Sequence, residues 1–191
     1  QSAPWYVLIA NATQQAALLG LMTYFAAYMI ENYGWDEANT APGLALLGVG
    51  AVIGSFVGGF IAGRARRLEW LAAISLTSGA VTGLFFVLDV SAWILVAVAF
   101  VASVLVSVSM PVLTTLIMHL AGQSRGTAGG MFTTSAQAGG VIGSSAGGLM
   151  LSLGGYPAVG LLYLVATVLS ASVVGLIMRR SPAFQLGDAG T

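Results

Sequence analysis

The sequence predicts an all-α, polytopic membrane protein with six transmembrane helices, and three observations carry that prediction. Of 191 residues, 58% are hydrophobic and 6% charged, and the mean hydropathy is +0.94. One water-soluble core of this size cannot hide so much apolar surface. Crossing about 30 Å of hydrocarbon takes about 20 residues of helix, and six apolar runs meet that length, near residues 4–30, 41–62, 70–88, 92–118, 126–153 and 157–178. The charges sort by connection. All six basic residues (Arg64, Arg66, Arg67, Arg125, Arg179, Arg180) fall after even-numbered runs, whereas Glu31, Asp36, Glu37 and Asp89 follow odd-numbered ones. By the positive-inside bias, the arginine side and both termini are cytoplasmic, and the expected location is a cell inner membrane.

The first run carries amides where lipid would not solvate them. At 100° per residue Asn11, Gln14 and Gln15 share a face with Leu18, Met22, Phe25 and Met29, so these amides either bond a neighbouring helix or line a wet cavity. The sequon Asn11-Ala12-Thr13 lies inside this span and reads as chance. Thr40 is placed to cap the second run, with Pro42 in its first turn, and Gly50, Gly54 and Gly58 recur along one face. The third run holds Gly79 and Gly83, which implies a close neighbour.

Ser91 is placed to cap the fourth run, which carries a polar stripe, Ser103, Ser107, Met110 and Thr114, interrupted by Pro111. Hydroxyls in such a stripe readily bond their own helix. In the fifth run the small residues Gly139, Gly143 and Gly147 lie four apart, the spacing at which missing side chains let another backbone approach. Thr133 and Gln137 are its polar positions. Pro157 opens the sixth run, and 181–191 is expected to be a disordered cytoplasmic tail. Trp5, Trp35, Trp70 and Trp93 stand near span ends, where amphipathic rings anchor at the interface.

Enzymatic chemistry finds little support. Residues Gly143 to Gly147 fit G-x-S-x-G, and with His119 they suggest an intramembrane serine protease. Yet Ser145 lies twenty residues beyond Arg125, hence about 30 Å along a helix, while His119 precedes the short connection at that same end. No base reaches that hydroxyl. His119 reads instead as a capping group at a helix C-terminus. There are no cysteines, no intramembrane acid or base, and nothing that implies a metal or cofactor. Net charge is zero, which excludes a nucleic-acid footprint.

Three stretches resemble the major facilitator superfamily. The loop Gly59-Phe60-Ile61-Ala62-Gly63-Arg64-Ala65-Arg66-Arg67 is similar to its G-x-x-x-D-R-x-G-R-R loop, with Gly63 at the acidic position and the next glycine lost. Arg125-Gly126 resembles the start of the eleventh helix of that family. Gly130, Gly139, Gly143, Ser144, Gly147 and Gly148 follow the antiporter spacing G-x8-G-x3-G-P-x2-G-G, with Ser144 in place of proline. The degenerate loop, the missing proline and the lack of an arginine in the fourth run favour the C-terminal six-helix half. Gln14-Gln15 also resembles a sugar-porter feature.

The resemblance implies a half-transporter working by alternating access against an N-terminal six-helix half of the same transporter. It implies that the first and fourth helices line the cavity, that the second and fifth slide on the other half, and that the third and sixth face lipid. On that basis Asn11, Gln14, Gln15, Ser107, Thr114 and Gln137 are expected to contact a small solute. Gly54, Gly58, Gly139, Gly143 and Gly147 are expected to pack helices, and Arg64, Arg66, Arg67 and Arg125 to form cytoplasmic loops. The first residue is Gln, which suggests a fragment; isolated, the chain is expected to self-associate. A native six-helix homodimer and a non-transporting structural membrane protein are the other readings.

Overall fold

A computed structural model describes residues 3–64 and 66–178, and the tail expected to be disordered lies outside them. Every regular element among the described residues is helical: α1 (Ala3–Tyr33), α2 (Glu37–Ala62), α3 (Arg67–Phe85), α4 (Ala92–Ala121), α5 (Arg125–Ser172) and a π-helical turn, Val173–Met178. The two last predicted runs are thus one 48-residue element, but not one straight rod. Gly154 and Gly155 leave helical geometry inside it, and Gly155 has φ +68°, which a side chain would resist. Two arms result, 125–153 and 156–172, and Pro157 sits in the first turn of the second, where its missing N–H is harmless.

Among the described residues, four segments are long and apolar enough to cross a membrane: α2, α3, α4 and the stretch Arg125–Leu176. At 31 residues α1 has the length, but Asn11, Gln14 and Gln15 in its middle lower its hydropathy. Helix α2 begins a turn before the sequence suggests. Asp36, not Thr40, is its cap, accepting from the Asn39 N–H at 2.8 Å, while the Thr40 hydroxyl bonds the Asp36 carbonyl. A carboxylate at a helix N-terminus also meets the positive end of the dipole. Ser91 is the N-cap residue of α4 but makes no side-chain cap bond.

The close approaches fix direction. Gly50, Gly54 and Gly58 of α2 face Phe100, Val104 and Val108 of α4 in the same order, so these helices run parallel. Gly139 and Gly143 face Ala12 and Ala16, so the first arm of α5 runs parallel to α1; Gly79 and Gly83 face Thr167 and Gly160, so the second arm runs antiparallel to α3. The chain therefore zigzags, and the described arginines Arg64, Arg66, Arg67 and Arg125 gather at one end. Arg66 bonds Glu69 there.

The opposite end is aromatic. Tyr28, Phe85, Phe86 and Tyr156 meet in stacked, tilted or edge-to-face pairs at centroid separations of 4.7–6.2 Å. Tyr156 donates to Glu31 at 2.7 Å and Tyr33 to the Val90 carbonyl at 2.8 Å, so the end of α1 is tied to the break in α5 and to the α3–α4 connection. Near that end Trp35 and Trp93 lie 5.5 Å apart.

Candidate functional site

The glycine rows close inside the bundle. A Cβ built on Gly143 would stand 2.6 Å from the Ala16 Cα, and one on Gly139 2.7 Å from the Ala12 Cα, both backbone atoms that cannot turn aside. On α2, a Cβ at Gly54 would meet the Val104 carbonyl and lie 2.9 Å from the Ser107 Cβ; at Gly58 it would meet the Val108 carbonyl and come within 3.0 Å of Pro111. Gly147 faces the rings of Tyr24 and Tyr163. The small faces of α2 and α5 therefore have neighbours in α4 and α1, where the resemblance led us to expect the other half. Lipid supplies no hydrophobic force between helices, so such backbone contact is what holds them.

The amides of α1, which the helical wheel groups on one face, are drawn to different partners. Asn11 is fully buried and donates to the Phe132 carbonyl at 2.9 Å and to the Ser135 hydroxyl at 2.8 Å, both on the first arm of α5. Gln14, also buried, donates to Ser75 of α3 at 2.6 Å and to Ser170 of the second arm at 3.3 Å; Ser170 in turn donates to the Ala10 carbonyl. One amide thus ties three helices, and Ser75 and Ser170, which carried no sequence signal, complete the knot. Gln15 is half-buried. It carries a carbonyl oxygen with no protein partner.

On α4, Ser103 bonds the Leu47 carbonyl at 2.6 Å, a helix-to-helix contact. Ser107 is buried with its hydroxyl unpartnered, and Thr114 is half-buried and bonds its own helix at Met110. Gln137 is exposed, as are Thr133, Thr134, Ser145 and Ser152 of the same arm. His119 is exposed in the last turn of α4.

Depth sorts these groups. Gln15 lies twelve residues into α1, Gln137 twelve into α5, and Ser107 fourteen before the end of α4, so at 1.5 Å per residue each stands about 20 Å from the arginine end. Thr114, seven residues from the end of α4, is about 10 Å away. Two apolar grooves lie apart from all of them: one of about 500 Å³ between α3 and the second arm, around Gly83, Leu84 and Leu161, and one of about 280 Å³ between α1 and both arms, around Thr13, Ile142 and Leu169.

A family model described as Major Facilitator Superfamily matches residues 6–190. In Escherichia coli strain K12 the protein named "Putative transporter AraJ" is 28% identical over 155 residues, which are 80% of this chain and 39% of that protein. The chain thus spans about two-fifths of that relative. No solved structure matches.

Proposed function

The chain belongs to the Major Facilitator Superfamily, and from that premise we propose that this integral membrane protein is one six-span bundle of a secondary active transporter. It is the C-terminal half, and it moves a small solute by rocking against a matching N-terminal bundle. The solute lies between the bundles at mid-depth, against Gln15 and Gln137, with Thr114 nearer the cytoplasmic end, whereas Ser107 is buried at the α2 contact beside Gly54. Asn11 and Gln14 stand behind this surface and fix α1 to α3 and α5.

The observation that carries the reading is Gln137. It is an exposed amide about 20 Å along an apolar helix, at a depth where lipid offers no hydrogen bonds. An uncharged polar side chain there signals a wet cavity or a polar neighbour. Helix α1 and the second arm of α5 cover the glycine row of the first arm, so Gln137 is left on the face these contacts do not use. A second bundle with a cavity between the two meets that need.

The test is uptake of candidate solutes into proteoliposomes by the complete reading frame, by its Gln137→Leu variant, and by the 191-residue chain alone. Uptake is expected from the complete protein, reduced at least tenfold by the substitution and absent for the isolated chain. Saturable transport by the isolated chain as a demonstrated monomer overturns the half-transporter reading.

A further inference from the structure

Helix α3 and the second arm of α5 turn an apolar face outward. Beyond Trp70 the exposed side chains of α3 are Ala73, Leu76, Thr77, Ala80 and Leu84, and the Thr77 hydroxyl is spent on the Ala73 carbonyl of its own helix. On the second arm they are Pro157, Leu161, Val165, Val168 and Leu169. The first arm differs, exposing Thr133, Thr134, Gln137, Ser145 and Ser152. An apolar face this extensive belongs against lipid.

Within it lies the groove of about 500 Å³. A Cβ built on Gly160 would stand 2.9 Å from the Gly83 carbonyl oxygen, so the two helices meet where neither has a side chain. Leu84, Val87, Leu161 and Leu164 rise around that bare floor. Val87 to Ala80 and Pro157 to Leu164 are each seven residues, so the groove runs about 10 Å inward from the aromatic end. None of its lining side chains is polar, so water would find no partner there. A hydrocarbon chain gives up no hydrogen bond on entering and gains contact with the walls.

The charge at the mouth is of one sign. Asp89 is exposed two residues past Val87 and forms no ion pair among the described residues. Glu31 is held at 2.7 Å by the hydroxyl of Tyr156, the neighbour of Pro157. The described arginines all stand at the opposite end. An anionic headgroup would therefore meet carboxylates, and an ammonium would meet partners. Exposed pairs are weak and screened by salt, so the acyl chain supplies the hold and the carboxylates choose the headgroup.

We propose that the groove between α3 and the second arm of α5 binds one phospholipid, its acyl chain seated on Gly83 and Gly160 and its ammonium-bearing headgroup against Asp89 and Glu31. Such a site needs only a bilayer, and it stands or falls apart from the solute surface at mid-depth.

Photo-cross-linking tests it on the complete transporter in phosphatidylcholine nanodiscs. Two trace probes with the same chains carry a diazirine near the acyl carbonyl, one a phosphatidylethanolamine and the other a phosphatidylglycerol. Adducts mapped by mass spectrometry are expected on Leu84, Leu161 or Leu164, more densely than on Val52, Phe56 and Phe60 of α2, which are also exposed. The ethanolamine probe should exceed the glycerol probe in the groove by about threefold, the scale of one or two exposed ion pairs. Ala80 is exposed, so Ala80→Phe fills the groove without entering the core and should remove most of these adducts; Val87→Phe serves if that variant aggregates. Asp89→Asn with Glu31→Gln should bring the two probes level while the adducts remain. Groove labelling no denser than that of α2, or untouched by both phenylalanine variants, overturns the site. A glycerol probe that labels as well or better, or a preference that survives loss of both carboxylates, overturns the headgroup chemistry.

Discussion

Gln14 reaches two hydroxyls on two different helices with one amide nitrogen, Ser75 at 2.6 Å and Ser170 at 3.3 Å, all three side chains being within 1% of complete burial. An amide in this position has no water to fall back on, so each acceptor matters more than its strength in an exposed bond suggests. Interhelical hydrogen bonds in membranes are nonetheless modest, about 0.6 kcal/mol on average and about 1–2 kcal/mol in model peptides. Ser75→Ala, which removes the shorter bond, should therefore cost about 1 kcal/mol, and Ser170→Ala less from this contact, although it also frees the Ala10 carbonyl. Because both substitutions act on one amide, the double variant should lose less than the sum of the two. Thermal unfolding in detergent, run as a double-mutant cycle, measures this. Strict additivity would mean that the two serines do not share Gln14.

At the scale of the element, hydropathy and spacing made the helices legible, because lipid forces every backbone group into helical bonding and leaves length and apolarity as the signal. What they left out was which face meets which neighbour. The row Gly139, Gly143, Gly147 announces a close approach, but nothing in the residues of α5 says that the approaching backbone is α1 and not a second bundle. Likewise Asn11 and Gln14 are visible as misplaced amides, while their acceptors, the Phe132 carbonyl, Ser135, Ser75 and Ser170, are ordinary residues 61 to 156 positions away. Asp36 went unread as the α2 cap because Thr40 and Pro42 offered an equally good local signal one turn later. The glycines can now be ranked by what surrounds them. A methyl group at Gly54 or Gly143 meets backbone, and overpacking of that kind costs about 1–3 kcal/mol. A methyl at Gly147 meets tyrosine side chains, which can shift, and one at Gly59 or Gly130 meets nothing within 4 Å. Gly54→Ala and Gly143→Ala should lower the unfolding temperature, Gly147→Ala less so, and Gly59→Ala should leave it unchanged or slightly higher through better helix propensity. Equal stability of Gly54→Ala and Gly59→Ala would dismiss the α2–α4 contact as a packing interface.

For the whole molecule, the zigzag of five helices and the break at Gly154 and Gly155 put the starts of α1, α3 and α5 at one end, together with the described arginines. Glu31, Asp36, Glu37 and Asp89 lie at the other end, with the Tyr28, Phe86 and Tyr156 cluster. If the break at 154–155 did not turn the chain, its 52-residue apolar stretch Arg125–Leu176 would run about 78 Å at 1.5 Å per residue, more than twice the hydrocarbon thickness. Folded back, the two arms run antiparallel, and on the proposed six-span reading the chain returns to the side on which it began. On that reading the arginine bias predicts that this side is the cytoplasmic one. The sequence contains no cysteine, so single cysteines can be introduced without background. Asn39→Cys, in the exposed first turn of α2, and Gln123→Cys, exposed in the α4–α5 connection, leave all the arginines in place. In intact cells an impermeant maleimide should label the first and not the second, and opening the membrane should expose both. Labelling of both from outside would break the six-span arrangement, and labelling of Gln123→Cys alone would keep six spans but reverse the orientation that the arginines predict.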